Sequence, residues 1–391
     1  MERIGIYGGT FNPPHIGHVL AVIQAVENLK LDKLLLIPDR IAPHKQMPGN
    51  SATPEQRLAM LRMAAQDIPR AEVSDLELKR EGPSYTFETI ASLRQQYPEA
   101  ELILLMGTDM FTSFLTWKNP TDILKDAALA VMCRGERGEK EAILRQKETM
   151  EALGAVVYTV ENKAVSISST QLRRLLAFGC ADEFLPAGAG EFIRENGLYD
   201  TAANWKQLPM DQLEKVVISL LNPNRVNHVL GCRDTAVELA RRWGADETDA
   251  ARAGLLHDIT KALDGPLQLT LCKGYGKILS AFSQKYPKTL HALTGSLVAR
   301  RIFGENDAVV SAIEHHTTGK AGMNLLETII YVADYMEPNR DFLGVEQLRE
   351  LAFSDLDEAL KLGLTMTLNL LNQQGSEVSP ESREALAWLN Q

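Results

Sequence analysis

The sequence predicts an α/β domain with a mainly parallel sheet over residues 1–199 and an all-α domain over residues 210–391. Three observations carry this. Short apolar, β-rich runs alternate with helical patterns in the first half, which indicates βαβ units. From Met210 onward only helical periodicity is visible. Between the two, residues 200–209 (DTAANWKQLP) are polar and weakly patterned, as a linker would be. A chain of 391 residues is long enough for two such domains, each with its own core.

Taken in order, Arg3–Tyr7 is a first strand that meets the turn Gly8-Gly9-Thr10 and then a helical stretch from about His15 to Leu29. Lys33–Pro38 is a second buried strand. Tyr85–Gln96 reads as a helix with Ser84 as its N-cap. Glu101–Met106, closed by Gly107, is a further strand, and Ala127–Cys133 and Ala155–Val160 complete the set. Thr170–Leu176 and Gly190–Glu195 read as helices. In the second half Val229–Trp243, Ser296–Phe303 and Leu325–Met336 are amphipathic helices, with Gly and Pro falling mostly between segments.

Composition narrows the function. Apolar residues at 45% and charged residues at 24% are ordinary for a soluble globular protein and exclude pervasive disorder. No apolar run approaches the ~20 residues of a membrane span. The opening MERIGIYGG starts directly as a strand, so no signal peptide is expected. The four cysteines are widely spaced without a CxxC, which suits reduced thiols in a cytoplasm. A net charge of −10 argues against a general nucleic-acid binder. Small phosphorylated substrates need only local positive charge. The eight histidines fall into two groups: His15, His18 and His44, then His228, His257, His291, His315 and His316. That division suggests two separate sites.

The first is the run Gly8 to His18, GGTFNPPHIGH. It follows a strand and precedes a helix, at the carboxyl end of a parallel sheet, where ligands of such sheets bind. Gly8, Gly9 and the residues Thr10 and Phe11 can bring backbone N–H groups near phosphate oxygens, and the helix start adds partial positive charge. His15 and His18, three apart, share a helix face and can donate hydrogen bonds to a polyphosphate.

His15-Ile16-Gly17-His18 resembles the HxGH motif of nucleotidylyl transferases, whose sheet is Rossmann-like, and residues 167–173 (ISSTQLR) resemble their second signature, ISSTxxR. With Pro43-His44-Lys45, Ser84-Tyr85-Thr86, Gly107-Thr108-Asp109 and Trp117, residues 1–200 resemble the bacterial nicotinate-nucleotide adenylyltransferases. The resemblance implies that ATP and nicotinate mononucleotide give deamido-NAD and pyrophosphate. It implies that His15 and His18 bind the ATP phosphates and that Ser168, Ser169, Thr170 and Arg173 hold the same triphosphate. Asp109 would contact ATP, and Mg²⁺ would come bound to the ATP phosphates. Lys45 would meet the mononucleotide phosphate, with Tyr85, Thr86 and Trp117 at the nicotinate pocket. Taken singly, Asp109 also fits a plain helix N-cap, Trp117 ordinary packing and Lys45 a solvated loop charge.

The second site begins at Ala253-Gly254-Leu255-Leu256-His257-Asp258, an apolar run ending in an ionisable pair. Such a placement is costly unless compensated, and a metal ion would compensate it. Asp334 interrupts another apolar run, and His228, His291 and His316 lie on helical segments around them. Nitrogen and carboxylate ligands without thiolate suit Fe, Mn, Co or Zn. A buried His–Asp hydrogen bond alone is the simpler reading of His257-Asp258.

In the order H…HD…H…H…D, residues 215–375 resemble the HD-domain metal-dependent phosphohydrolases, and more narrowly the YqeK-type HD proteins that hydrolyse diadenosine tetraphosphate symmetrically to two ADP. Residues 254–261 (GLLHDITK), 291–295 (HALTG), 316–319 (HTTG) and 331–340 (YVADYMEPNR) carry this. The resemblance implies that His228, His257, Asp258 and Asp334 bind one metal and that His291 and His316 complete a second, with Asp258 bridging. Lys261, Thr318, Lys320 and Arg340 would contact phosphate. His315 stands where the group has an aromatic residue, and is expected in the shell around the ligands. The chain is thus expected to join two nucleotide enzymes, with homo-oligomers open. For the second half, action on dNTPs or cyclic dinucleotides, or a regulatory nucleotide-binding role, stays open. For the first, another acceptor such as nicotinamide mononucleotide or phosphopantetheine stays open.

Overall fold

The computed structural model describes residues 1–43, 46–133, 138–162, 165 and 167–391. They form two compact units, Met1–Ala203 and Asn204–Gln391. Among the described residues no helix is long and apolar enough to cross a membrane.

The first unit is built on six parallel strands: β1 (Arg3–Gly9), β2 (Lys33–Pro38), β3 (Ala71–Val73), β4 (Glu101–Gly107), β5 (Ala128–Cys133) and β6 (Val157–Glu161). Their order is β3-β2-β1-β4-β5-β6. The runs KLLLIP and ELILLM are nearly continuous in apolar residues because both faces of a parallel sheet are covered. Alternate side chains divide between two cores. Ile4, Leu35, Ile37, Leu102 and Leu104 pack on one face; Leu34, Leu36, Ile103, Leu105 and Met132 pack on the other. β3 has only three residues and no periodicity to betray it, so the sequence reading passes over it. The chain order reverses between β1 and β4, and at such a switch point the loops leave opposite faces and open a crevice beyond the strand ends.

The expected cap at Ser84 is displaced by one residue. Tyr85 is the N-cap of helix Thr86–Gln96, with its carbonyl accepting from Glu88 N at 3.1 Å. Ser84 Oγ instead accepts from Arg40 N at 2.9 Å.

The second unit is helical throughout its described secondary structure. Helices Val226–Trp243, Glu247–Leu256, Leu290–Val298, Asp307–His315 and Leu325–Met336 surround one buried polar cluster. The helix expected at Ser296–Phe303 starts earlier, at Leu290, and its last turn, Ala299–Phe303, widens to a π-helix. The start of this unit is not a free tether. Trp205 stacks on Phe303, centroids 5.7 Å apart, and Gln207 N donates to Phe303 O at 2.8 Å. A large aromatic in a polar stretch has apolar area to bury, which weak patterning does not reveal.

Candidate functional site

In the first unit a cleft of about 630 Å³ opens at the switch point. Its walls include Gly8, Gly9, Thr10, Phe11, His15 and His18 from the loop after β1, and Gly107 and Asp109 after β4. Tyr85, Thr86 and Trp117 line it too, with Ser168, Ser169 and Thr170. His15 is the N-cap and His18 the third residue of helix Ile16–Leu29. Their rings lie 3.6 Å apart, centroid to centroid. His15 N donates to His18 Nδ1 at 3.2 Å. A neutral ring that accepts at Nδ1 carries its proton on Nε2, so His18 offers an N–H donor beyond the helix start. Gly17 leaves room for this stack, since a Cβ there would meet His15 Nδ1 at 3.0 Å and Val165 O at 3.2 Å.

The loop is held from behind. Arg57, almost wholly buried, donates to Thr10 O at 2.6 Å and to Asp39 O at 2.7 Å. It also pairs with Asp39 Oδ1 at 3.1 Å, and Asp39 Oδ2 accepts from Thr10 Oγ1 at 2.8 Å. Arg173 donates to Asn12 O at 2.7 Å and to Thr170 Oγ1 at 3.2 Å. Ser169 Oγ donates to Pro13 O at 3.0 Å. These bonds clamp the ISST segment onto the GGTFNPP loop. Glu77 also lines the cleft; burial pushes its carboxyl up from the ordinary value, against hydrogen bonds from Thr89 and Ser84. Lys118 Nζ stands 3.9 Å over the Tyr85 ring.

In the second unit four imidazoles and two carboxylates converge. His257 Nδ1 donates to Gly254 O at 2.7 Å, His291 Nδ1 to Lys288 O at 2.9 Å and His316 Nδ1 to Ile313 O at 2.7 Å. Each partner is the carbonyl three residues earlier. Because a carbonyl only accepts, Nδ1 carries the proton and Nε2 the lone pair. His228 Nε2 lies 3.2 Å from His257 Nε2 and 3.1 Å from Asp334 Oδ1. Asp258 is 1% exposed. Its Oδ2 faces His228 at 3.7 Å and His257 at 3.6 Å. Its Oδ1 faces His291 at 3.6 Å and His316 at 3.9 Å. Lone pairs and carboxylate oxygens that face one another repel unless a cation lies among them, which is how a metal-binding donor set is built. Two triads are tight enough to hold an ion: His228, His257 and Asp334, and His257, Asp258 and His316. Burial pushes His257 and His291 well below the ordinary histidine value and His316 down to about 4, so lone pairs are available at neutral pH. Burial likewise brings Lys261 down to about 8.

A cytidylyltransferase-like family model matches residues 6–175 and an HD-domain model matches residues 225–339. A protein of Aeromonas salmonicida described as a probable nicotinate-nucleotide adenylyltransferase is 39% identical over 208 residues, covering 50% of this chain and 96% of its own. One from Dictyoglomus turgidum, described in the same words, is 36% identical over 198 residues, covering 50% and 95%. Over its first half the chain belongs to the nicotinate-nucleotide adenylyltransferase family. The second half is an HD domain. A crystal structure described as a predicted HD superfamily hydrolase involved in NAD metabolism, from Clostridium acetobutylicum, is 36% identical. It covers 47% of this chain and 97% of that one, with a TM-score of 0.46.

Several expected residues have other partners. In the adenylyltransferase half, the Arg173 guanidinium also braces the loop through Asn12 O. Lys45 and His44 lie outside the described residues. In the HD domain, Lys320 pairs with the buried Glu327 at 2.7 Å. Arg340 donates to Asp334 Oδ1 at 2.7 Å, and Arg225 pairs with Asp258. Thr318 Oγ1 donates to Gly319 O at 3.2 Å. Its neighbour Thr317, missed by the sequence reading, stands 3.0 Å from His291 Nε2 and 3.1 Å from His316 Nε2. Lys261 Nζ also reaches His291 Nε2, at 2.9 Å. His291 stands outside both triads. His315 is half-buried; burial first, then Lys320, lower its pKa, while Glu314, Glu327 and Glu381 oppose them.

Proposed function

We propose that the first unit transfers the adenylyl group of ATP to nicotinate mononucleotide, giving deamido-NAD and pyrophosphate. The observation that carries this is the His15–His18 pair at the helix start after β1, with His18 Nε2–H as a donor. The mononucleotide phosphate attacks the α-phosphorus in line, so the protein's share is positioning and charge stabilisation. His15 and His18 hold the phosphates that leave as pyrophosphate. Ser168, Ser169, Thr170 and Arg173 face the same triphosphate, Asp109 the rest of ATP, and Arg57 keeps the loop in place. Tyr85, Thr86 and Trp117 accept the nicotinate ring, and Lys45 the mononucleotide phosphate. Among the described residues, close metal-ligating triads occur only in the second unit. Mg²⁺ would enter with ATP, on its phosphates, because it keeps waters and favours phosphate oxygens over an all-protein cage.

We also propose that the HD domain is a metal-dependent phosphohydrolase of nucleotide polyphosphates, with diadenosine tetraphosphate cleaved symmetrically to two ADP. His228, His257, Asp258 and Asp334 would hold one ion and His316 with His291 a second, Asp258 reaching both. The nitrogen and oxygen donors suit Fe, with Mn, Co or Zn as alternatives. Such an ion supplies Lewis acidity toward a phosphoryl oxygen and lowers the pKa of water. Lys261 and Thr317 stand beside His291, ready to meet phosphate, and Arg225 and Arg340 turn to it from their carboxylates. The chemistry and the four cysteine thiols suit a cytoplasm.

The test assays the whole chain with both substrate sets, alongside His18→Ala and Asp258→Ala. His18→Ala should abolish deamido-NAD synthesis alone, and Asp258→Ala tetraphosphate cleavage alone. Loss of both activities from either substitution would refute two autonomous sites.

A further inference from the structure

We infer that Glu337 is a positioning residue for the HD metal centre, fixing the tautomer and direction of His228. This rests on the metal-site reading above. Three of the four cluster histidines anchor Nδ1 on a carbonyl of their own chain segment, three residues back. His228 differs. It is the third residue of helix Val226–Trp243, and its Nδ1 lies 3.0 Å from Glu337 Oε1, a residue 109 positions away. A carboxylate at that distance accepts a hydrogen bond from Nδ1–H, so the neutral ring carries its lone pair on Nε2. Nε2 is the atom that faces His257 and Asp334.

The carboxylate is itself held. Glu337 is 1% exposed. Its Oε2 accepts from Asn339 N and from Asn339 Nδ2, both at 2.8 Å. Pro338 ends the helix that carries Asp334, because the residue before a proline is driven out of the α region, and Glu337 is its C-cap at φ −51, ψ 157. Arg349 donates to Glu337 O at 3.0 Å. Room for the side chain comes from Gly231, one turn after His228: a Cβ there would meet Glu337 Oε2 at 2.5 Å. One helix end thus grips both sides of a single ring, Asp334 at Nε2 and Glu337 at Nδ1. Carboxylates bonded to the far nitrogen of a ligating histidine raise its basicity and fix its direction, and their loss typically costs about 10–100-fold in metal affinity.

Glutamine is a poor substitute for chemical reasons. With its oxygen toward His228, its NH₂ faces two donors of Asn339. With its NH₂ toward His228, the ring must accept at Nδ1 and carry its proton on Nε2, which cannot bind metal. The test is a Co²⁺ titration of the metal-stripped full chain, followed by the visible absorption of the bound ion, for wild type, Glu337→Gln and Gly231→Ala. Wild type should bind with a d–d spectrum. Both variants should bind about 10–100-fold more weakly with an altered spectrum, while deamido-NAD synthesis is unchanged. If wild type does not bind Co²⁺, the metal reading fails and this inference with it. If wild type binds and folded Glu337→Gln matches its affinity and spectrum, the inference alone is overturned. Should Glu337→Gln not fold, Gly231→Ala decides, because it keeps the carboxylate and the ring and fills only the space between helix and side chain.

Discussion

The two units use the same side chain in opposite electrical senses. In the cleft, His18 accepts a backbone N–H at Nδ1 and so presents N–H from Nε2. In the HD domain, His257, His291 and His316 donate from Nδ1 to backbone carbonyls and so present lone pairs from Nε2. A donor suits phosphate oxygens directly, and a lone pair suits a metal that in turn holds phosphate. The helix start supplies the first polarity, because its free N–H groups are donors. Carbonyls one turn back supply the second. At His18, His257, His291 and His316 the backbone partner of Nδ1 sets which chemistry the ring serves, and at His228 the Glu337 carboxylate does.

Metal removal should give the largest separation. After chelation and dialysis, the chain assayed with Mg²⁺ alone should keep deamido-NAD synthesis and lose tetraphosphate cleavage, and Fe²⁺ or Mn²⁺ should restore it. Mg²⁺ is a weak substitute for nitrogen-rich sites because it prefers oxygen ligands. Next is the buried brace of the first site. Arg57→Ala strands Asp39 without its partner, and about 3–5 kcal/mol of stability should be lost from the first unit, read as a lower denaturation midpoint. Gly17→Ala should leave that midpoint nearly unchanged while pushing the His15 ring aside by a few tenths of an ångström. A misplacement of about 1 Å can cost about 10²-fold in rate, so this smaller shift should lower kcat for adenylyl transfer by less than that, with HD activity intact.

The smallest effect concerns pH. Glu77 binds its proton more tightly in the folded chain than in the unfolded one, because burial raises its pKa. Its contribution to stability is therefore neutral below the unfolded value and turns unfavourable as pH climbs from there through the folded value. Glu77→Gln should flatten that part of the stability–pH curve and raise stability at neutral pH. A curve parallel to wild type would show that the hydrogen bonds from Thr89 and Ser84 offset the burial.

What the sequence displays and what it hides follow from the same physics. The runs KLLLIP and ELILLM are legible because parallel strands bury both faces. The loop GGTFNPPHIGH and the spacing of His228, His257, His291, His316 and Asp334 are legible because few other folds need those residues there. Arg57 is not, since an arginine in a helical stretch reads as solvated until its partner loop is seen. Glu337 is hidden for the same reason: beside Pro338 it looks like a helix-end charge, and its partner is 109 residues away. The Lys320–Glu327 pair is hidden too, because the buried Glu327 sits inside an apolar helix. Short elements such as β3 carry too few residues for periodicity to speak.

The tautomers themselves test the central claim most directly. Long-range proton–nitrogen correlation spectra of the metal-stripped chain, labelled with ¹⁵N in histidine, assign the protonated ring nitrogen at each site. The account predicts the Nε2–H form for His18 and the Nδ1–H form for His257 and His316. An Nδ1–H form at His18, or an Nε2–H form at His257, would contradict it.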